Sequence, residues 1–301
     1  MLIDWFSMTT RIHSLADVLD ILGLSAGDMQ QLTGMRGYRD RLYYGGINVH
    51  YNGRDDMGVW VEMSGTGCRT YEGFGGDFMG LMSLVVENNG DMNLTRLDVA
   101  YDDKVGVVKL GDIAEALRGG EYVSRWRDWQ VIDGTKGMTI NLGSKTSDVL
   151  FRIYNKAVQQ GVEGTWIRYE LQMRDERAFA FARKLVEGQA IGQLWAGIVR
   201  NYVRFVDPGQ DTNKWRWMEK SWWQDLLGDA EKIRIYEVKG EEYNADKLDR
   251  YIGEMAGAAI DAYIRLYGVA GLISRVKGKS AGRSKYEDIV KVAQRMMENV
   301  G

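Results

Sequence analysis

Acidic, basic and phenolic side chains recur at every second position in three short segments of the chain. Alternate residues of a β-strand point to the same face of the sheet, so each segment would have one polar and one apolar face. The polar faces carry Arg96, Asp98 and Asp102 in the first segment, Arg152, Tyr154 and Lys156 in the second, and Arg168, Glu170 and Gln172 in the third. If the three strands lie in one sheet with their apolar faces inward, the carboxylates and the tyrosine converge.

These residue types could transfer a phosphoryl group to a tyrosine. The carboxylates of Asp98, Asp102 and Glu170 would offer the oxygen ligands that Mg²⁺ or Mn²⁺ prefers. The metal would polarise a phosphate, the phenolic oxygen of Tyr154 would attack it, and a cation would stabilise the charge that develops. A second interpretation stays open, because half-exposed antiparallel strands ordinarily have one polar face with cross-strand salt bridges.

The elements that would position these side chains are mainly strands in the first half of the chain and helices in the second. The predicted strands are Leu2 to Met8, two strands within Asp40 to Tyr51 around Gly45-Gly46, Val59 to Met63, Leu94 to Asp102, Trp129 to Ile132, Met138 to Leu142, Val149 to Tyr154 and Trp166 to Met173. The predicted helices are Leu15 to Leu22 after an N-cap at Ser14, Phe78 to Glu87, Leu110 to Leu117, Asp175 to Glu187 and Ile191 to Tyr202. This order predicts an α+β fold with a mostly antiparallel central sheet, flanking helices and a smaller, mainly helical C-terminal part.

A domain boundary is predicted near the only proline, Pro208. It lies in Asp207 to Lys214, the segment most like a linker. Residues 1–207 would form the catalytic domain, and residues 215–301 a mainly helical C-terminal region that ends in a helix near Tyr286 to Asn299.

Composition restricts the class of protein. The 301 residues have a net charge of −3, so any affinity for nucleic acid must come from local clusters of cations. Cys68 is the only cysteine, which excludes an intramolecular disulfide and fits a reducing cytoplasm. The first residues do not resemble a signal peptide, and Met255 to Ile273 carries charges and glycines that argue against a membrane span. We expect a cytoplasmic protein that has no membrane partner.

The segments with the polar faces resemble the replication initiation factor family. The matching stretches are TRLDVAYDD (Thr95 to Asp103), LGSKTSDVLFRIYNKA (Leu142 to Ala157) and IRYELQMR (Ile167 to Arg174). VEMSGTGCRTYE (Val61 to Glu72) and the opening IDWFSMT are similar to the phage and conjugative-element branch. The family includes rolling-circle initiators of plasmids and phages and relaxases of some integrative conjugative elements.

The resemblance implies a role for each of these residues. Tyr154 would be the nucleophile that leaves a 5′-phosphotyrosine and a free 3′-hydroxyl. The carboxylates that it links to Mg²⁺ or Mn²⁺ binding are Asp98, Asp102 and Glu170, and the basic residues that would contact phosphate are Arg152 and Lys156. The partners would be single-stranded or hairpin origin DNA, a host helicase and a polymerase. A homodimer is plausible for a protein that cuts and rejoins a strand.

Several other residues have simpler interpretations. His13 and His50 lack the His-hydrophobic-His spacing of better-known nicking enzymes, so they are expected to be ordinary polar or core residues. Gly65 and Gly67 are interpreted as a turn, and Cys68 as a buried thiol.

Two segments could contact DNA away from the tyrosine. Ser274 to Lys285 contains five cations and no acid, and it is either a solvated loop or a phosphate contact. Specificity for one origin could come from the C-terminal helices or from N-terminal loops such as Met35 to Arg41.

Four functions remain open at this point. An initiator and a conjugative relaxase share the chemistry; the family core begins almost at Met1, without the helix-turn-helix domain of some relaxases, which favours the initiator. A catalytically inactive DNA-binding regulator would have no need for the complete set of polar residues around Tyr154. A tyrosine recombinase or topoisomerase would need arginines around its tyrosine and no metal, so three carboxylates on strands argue against it.

Overall fold

A computed structural model describes residues 1–135, 137–228 and 257–276 of the chain, the last of these with side chains from residue 260 onward. The chain divides into two compact units, Met1–Tyr236 and Glu237–Gly301. The residues predicted as catalytic or metal-binding all belong to the first unit.

The first unit is built on a ten-stranded sheet in which every pair of neighbouring strands is antiparallel. Its strands are β1 (Leu2–Thr10), β2 (Gln30–Thr33), β3 (Asp40–Tyr44), β4 (Ile47–Tyr51), β5 (Val59–Met63), β6 (Met92–Asp103), β8 (Trp129–Ile132), β9 (Thr139–Leu142), β10 (Val149–Asn155) and β11 (Ile167–Arg174). Across the sheet they run in the order β2-β3-β4-β5-β1-β6-β11-β10-β9-β8. A separate two-stranded ribbon pairs β7 (Tyr122–Ser124) with β12 (Val203–Phe205).

Helices surround this sheet, and most of them cover its apolar face. They are α1 (Leu15–Leu22), α2 (Gly65–Gly73), α3 (Phe78–Glu87), α4 (Leu110–Arg118), α5 (Lys156–Gln160), α6 (Asp175–Val186), α7 (Ile191–Tyr202) and α8 (Ser221–Leu227). Alternate strand residues such as Phe6, Val99 and Phe151 join Phe181 and Trp195 of the helices in one core. Because the apolar residues of each central strand point into this core, the intervening polar residues share the opposite face of the sheet.

The α+β fold predicted from the sequence is confirmed. The bounds predicted for the central strands from the alternation of polar and apolar residues agree with the structure to within two residues at either end. The helix predicted after Ser14 begins with a complete capping box, in which Ser14 and Asp17 bond each other's backbone. The hairpin turn at Gly45-Gly46 is also present, and both glycines have a positive φ.

The turn predicted at Gly65 and Gly67 is wrong, because both glycines lie inside helix α2. A Cβ on Gly67 would approach the carbonyl oxygen of Gly46 to 2.2 Å. The glycine therefore allows α2 to pack directly against the β3–β4 hairpin. This close contact between helix and hairpin outweighs the low helix propensity of glycine.

The segment after Pro208 packs with the first unit up to the end of α8. Trp223 and Leu227 are buried in the core, and Lys220 forms ion pairs with Glu121 and Asp207. The residues that follow the predicted boundary at 207–215 therefore belong, as far as the end of α8, to the same compact unit as the residues before it.

In the second unit the structure describes one helix, α9 (Gly257–Val276), which is interrupted at Gly268 by a positive φ. Across the described residues, no helix is both long enough and apolar enough to span a membrane. The helix predicted near Tyr286 to Asn299 and most of the cationic segment Ser274 to Lys285 lie outside the described residues.

Candidate active site

Three adjacent strands bring the predicted site residues together. Strand β11 lies between β10 and β6, so Tyr154 stands opposite Arg168, and Arg168 in turn stands opposite Asp102. Two residues further along β11, Glu170 stands opposite Arg152. The predicted site required three strands side by side with their polar faces aligned, and β10, β11 and β6 have this arrangement.

Tyr154 is only 6% exposed, and its hydroxyl donates a hydrogen bond of 2.9 Å to Oε2 of Glu170. Arg152 donates from Nη1 to the other carboxylate oxygen of Glu170, also at 2.9 Å. Burial, followed by the negative charge of Glu170, raises the pKa of Tyr154 well above its ordinary value. The phenol therefore keeps its proton at neutral pH, and the nearest acceptor for that proton is Glu170.

Two cations lie close to the tyrosine ring. The guanidinium of Arg152 lies 5.2 Å and the Lys156 ammonium 5.7 Å from the ring centroid. Lys156 does not continue the strand as the sequence analysis allowed, because β10 ends at Asn155 and helix α5 begins with Lys156. Its Nζ bonds the Gln159 side chain, while burial, with a contribution from the charge of Arg168, lowers its pKa.

A buried arginine links two carboxylates beside the tyrosine. Arg168 donates two hydrogen bonds of 2.7 Å to the oxygens of Asp102 and a third of 2.7 Å to Asp4. Burial by itself would raise the pKa of Asp102, but the bonds from Arg168 and a looser polar contact from the Trp166 indole lower it. Two-pronged bonds between a guanidinium and a carboxylate fix both groups in position, so this pair is a rigid part of the site.

Asp98 is the most buried carboxylate of the group, with 2% of its surface exposed. It accepts bonds of 2.9 and 2.5 Å from Arg96, whose guanidinium lies 4.1 Å from the ring centroid of Trp5. Burial raises the pKa of Asp98 to about 7, the bonds from Arg96 oppose the rise, and the charges of Glu170 and Asp4 add to it.

Within the described residues, no group of three or more His, Cys, Asp or Glu side chains is placed to hold a metal ion. Each of the three carboxylates predicted as ligands instead has an arginine partner. Asp98 and Glu170 fit a divalent cation best, since both are buried oxygen donors. Burial is the main cause of the raised pKa of Asp98, and a cation would relieve the repulsion from Glu170 that adds to it. Asp98 and Asp102 each have both oxygens bonded to an arginine, and Glu170 has one oxygen bonded to Arg152 and the other to Tyr154.

Sequence reasoning gave Arg168 no role in this site and missed Asp4 altogether. Arg168 lies on the polar face of β11 that the alternation identified, and that position was the available signal. Asp4 had no such signal, because the β1–β6 register shifts between Ile3 and Trp5 and a local irregularity turns Asp4 toward Arg168.

Tyr169 of β11, Cys68 and the two histidines have no part in this site. Tyr169 is fully buried in the core on the opposite face of β11, and Cys68 is a buried thiol whose pKa is raised by burial. His50 is fully buried, and His13 bonds Thr10 in the first loop.

Comparison with known proteins gives two family matches. Residues 92–268 match the family described as replication initiation factor, and residues 1–77 match the rolling circle replication initiation protein N-terminal domain. Together the two ranges include every residue described at the site.

Two individual proteins are similar over most of the chain. A Bacillus subtilis (strain 168) protein named as a candidate DNA relaxase, NicK, is 29% identical over 257 residues, which are 78% of this chain and 72% of that protein. The solved structure of a rolling circle replication initiator protein from Geobacillus stearothermophilus is 33% identical, with a TM-score of 0.70 over 78% of this chain and 97% of that one.

Proposed function

Since the chain belongs to the replication initiation factor family, we propose that it is a rolling-circle initiator that nicks and rejoins one DNA strand through Tyr154. The observation that carries the proposal is the hydrogen bond of 2.9 Å from the Tyr154 hydroxyl to Glu170. It pairs a nucleophile with a proton acceptor inside a site rich in cations.

The attack needs a base because the pKa of Tyr154 is raised and its phenol is protonated. The phenolic oxygen forms a bond to the scissile phosphorus, its proton passes to Glu170, and the bond from phosphorus to the 3′-oxygen breaks. The products are a 5′-phosphotyrosine and a 3′-hydroxyl, once the leaving oxygen has taken up a proton. Reversal of the same step, with Glu170 returning the proton, rejoins the strand.

The cations around the ring have a task in this reaction. Arg152 and Lys156 both lie close to the ring of the nucleophile and can bind the non-bridging oxygens of the phosphate. Arg152 holds Glu170 at the same time, so it also orients the base. Arg168 fixes the neighbouring strands through Asp102 and Asp4 and acts as a positioning residue.

A divalent cation, Mg²⁺ or Mn²⁺, belongs to the proposal. Asp98 and Glu170 would hold it and Asp102 could join them, and each of these carboxylates would share or give up a present bond to its arginine. When bound, the ion would polarise the scissile phosphate and neutralise its charge.

The substrate and partners follow from the same proposal. The substrate would be origin DNA that is single-stranded at the scissile step, presented by melting or by a hairpin. A host helicase and a polymerase would act on the exposed strand and on the 3′-hydroxyl, and a homodimer could supply a second nucleophile for rejoining.

A conjugative relaxase with the same chemistry is the second candidate, and the similarity to NicK favours it. The residues of the site serve both functions equally, so the DNA that is cut must distinguish them. An inactive DNA-binding regulator is disfavoured, because such a protein would have no need for the complete set of polar residues around Tyr154.

The proposal is tested with labelled single-stranded oligonucleotides tiled across the DNA that carries the gene, incubated with protein and Mn²⁺ or Mg²⁺. Wild type should form a covalent protein–DNA adduct that requires the metal, and Tyr154→Phe should form none. Tyr169→Phe is the matched control, because its buried hydroxyl lies on the other face of the sheet. An adduct that persists in Tyr154→Phe, or no adduct with any tile, would overturn the proposal.

A further inference from the structure

The polar face of the sheet continues well beyond the tyrosine, across β1 to β5, β4 and β3. Ser7 of β1 stands opposite Arg96 on one side and opposite Glu62 of β5 on the other, and Glu62 in turn stands opposite Asn48 of β4. The site residues and Glu62 therefore lie on one continuous surface.

Polar groups at this far end of the face are close together but incompletely bonded. Glu62 forms no ion pair and no side-chain hydrogen bond with the residues that the structure describes. Burial raises its pKa, while the positive charges of Arg36, Arg96 and Arg41 lower it, so three guanidinium groups act electrostatically on this carboxylate.

The two arginines contributed by the N-terminal strands and loop also keep free donors. Arg41 gives one hydrogen bond of 3.2 Å to Asn48, and its buried Nε has no partner within the described part of the chain. Arg36 lies 5.3 Å from the ring centroid of Trp60, a ring that is stacked on His50 at 4.1 Å. Neither arginine has a carboxylate within ion-pair distance among the described residues.

From this arrangement we propose that Arg36, Arg41, Asn48 and Glu62 bind base edges of the same DNA strand that Tyr154 cuts. The inference rests on the proposed function. Guanidinium groups bind the two acceptors of guanine, an asparagine amide matches adenine, and a carboxylate accepts from the amino group of cytosine. Unpaired bases expose these edges to a protein, so a single strand lying along the face can be read here.

The sheet geometry limits how far the bases lie from the nick. Glu62 is four strand spacings from Tyr154 across the sheet and, through the partners Arg96 and Asp102, six residues along the strands. With about 4.8 Å per spacing and about 3.4 Å per residue, the diagonal is roughly 28 Å. At the stacked rise of about 3.4 Å per nucleotide this distance corresponds to about eight nucleotides, and a stretched strand needs fewer.

The test uses the oligonucleotide that wild type cuts, randomised over eight positions on each side of the nick, with cleaved and uncleaved pools sequenced. Wild type should prefer particular bases in this window on one side of the nick. Glu62→Gln and Asn48→Ala should each lose a preference of about five- to 150-fold at one or two positions and keep the others. Arg118→Ala, an exposed arginine of helix α4, is the control that should change none.

The cleavage results of wild type and the two variants decide between base reading, phosphate contact and failure of the proposed function. Variants that cut every sequence more slowly, with all base preferences retained, would make the cluster a phosphate contact and overturn base reading. Preferences that remain in both variants would also overturn it. If wild type cuts no tile at all, the proposed function itself fails, and that result is distinct from either of the others. Thermal melting of both variants confirms that they are folded.

Discussion

The two ends of one sheet face use the same residue types in opposite ways. At the β6, β11 and β10 end, each carboxylate described is bonded to an arginine: Glu170 to Arg152, Asp98 to Arg96, and both Asp102 and Asp4 to Arg168. At the β3, β4 and β5 end, Glu62, Arg36 and Arg41 share a region without forming an ion pair among the described residues.

The two arrangements suit different tasks. The paired end can hold a nucleophile in place, and the unpaired end has groups available to bind a ligand. A charge-compensated cluster holds its groups in fixed positions through two-pronged bonds, and removing either partner leaves a buried charge unpaired. It can keep a phenol and its base within hydrogen-bond distance before DNA arrives. An incompletely bonded cluster has donors and acceptors to offer, and a bound base can satisfy them.

The largest effect should come from the catalytic end. Glu170→Gln removes the proton acceptor of Tyr154 but keeps the shape and the contact with Arg152, so the cleavage rate should fall by about 10²- to 10⁴-fold. Single-turnover cleavage of the best oligonucleotide measures the change. Glu163→Gln, an exposed glutamate before β11, should cut at the wild-type rate. Cleavage by Glu170→Gln at an undiminished rate would remove Glu170 from the role of base.

The second effect concerns stability rather than rate. Arg168→Gln leaves Asp102 and Asp4 without their shared partner, and breaking a buried pair of this kind costs about 3–5 kcal/mol of unfolding free energy. Urea unfolding measures this loss. Arg54→Gln breaks a pair with Asp56 in which the arginine side chain is 74% exposed, and it should cost at most about 1 kcal/mol. Equal losses in the two variants would mean that the catalytic end is not a compensated cluster.

The central strands and their polar faces could be predicted because alternation is a local property of the sequence. Val59 to Met63 and the hairpin strands around Gly45-Gly46 were predicted to the residue. The same reasoning placed Tyr154 and Glu170 on the polar faces of their strands. It could not show that these strands are neighbours, because alternation carries no information on strand order.

What could not be predicted depends on contacts between segments distant in sequence. Helix α2 forms over glycines because Gly67 approaches Gly46 across the hairpin. Asp4 reaches Arg168, 164 positions along the chain, through an irregularity in β1. The arginine partners of the carboxylates likewise follow from register, so the sequence predicted which groups converge but not how they pair.

The third effect is a pH dependence at the compensated end. The pKa of Asp98 is raised from 3.8 to about 7, first by burial. The folded protein then holds a proton that the unfolded chain has released, so the contribution of Asp98 to stability is complete below about pH 4 and is lost as the pH rises through about 7. The change is at most about 1.4 kcal/mol per pH unit.

Unfolding of Asp98→Asn and wild type in metal-free buffer at pH 5 and pH 8 measures this dependence. The variant cannot titrate at residue 98, so its stability relative to wild type should be higher at pH 8 than at pH 5. Asp112→Asn, an exposed aspartate of helix α4, should show the same difference from wild type at both pH values. A difference for Asp98→Asn that does not change with pH would contradict the burial of its charge.

The smallest effect should appear at the open end and should spare the fold. Arg36 is exposed and has no carboxylate partner among the described residues, so Arg36→Ala should change the unfolding free energy by no more than about 0.5 kcal/mol.

If Arg36 contacts a single strand through a phosphate, the slope of log affinity against log salt should become shallower by about 0.7. If it contacts a base instead, affinity falls for one sequence and the slope changes little. Titration of Tyr154→Phe, with and without Arg36→Ala, against the uncut oligonucleotide at several salt concentrations separates these cases, because no cleavage occurs during the measurement. An unchanged affinity at every salt concentration would place Arg36 outside the DNA path, and the contrast between the two ends would then rest on Arg41, Asn48 and Glu62.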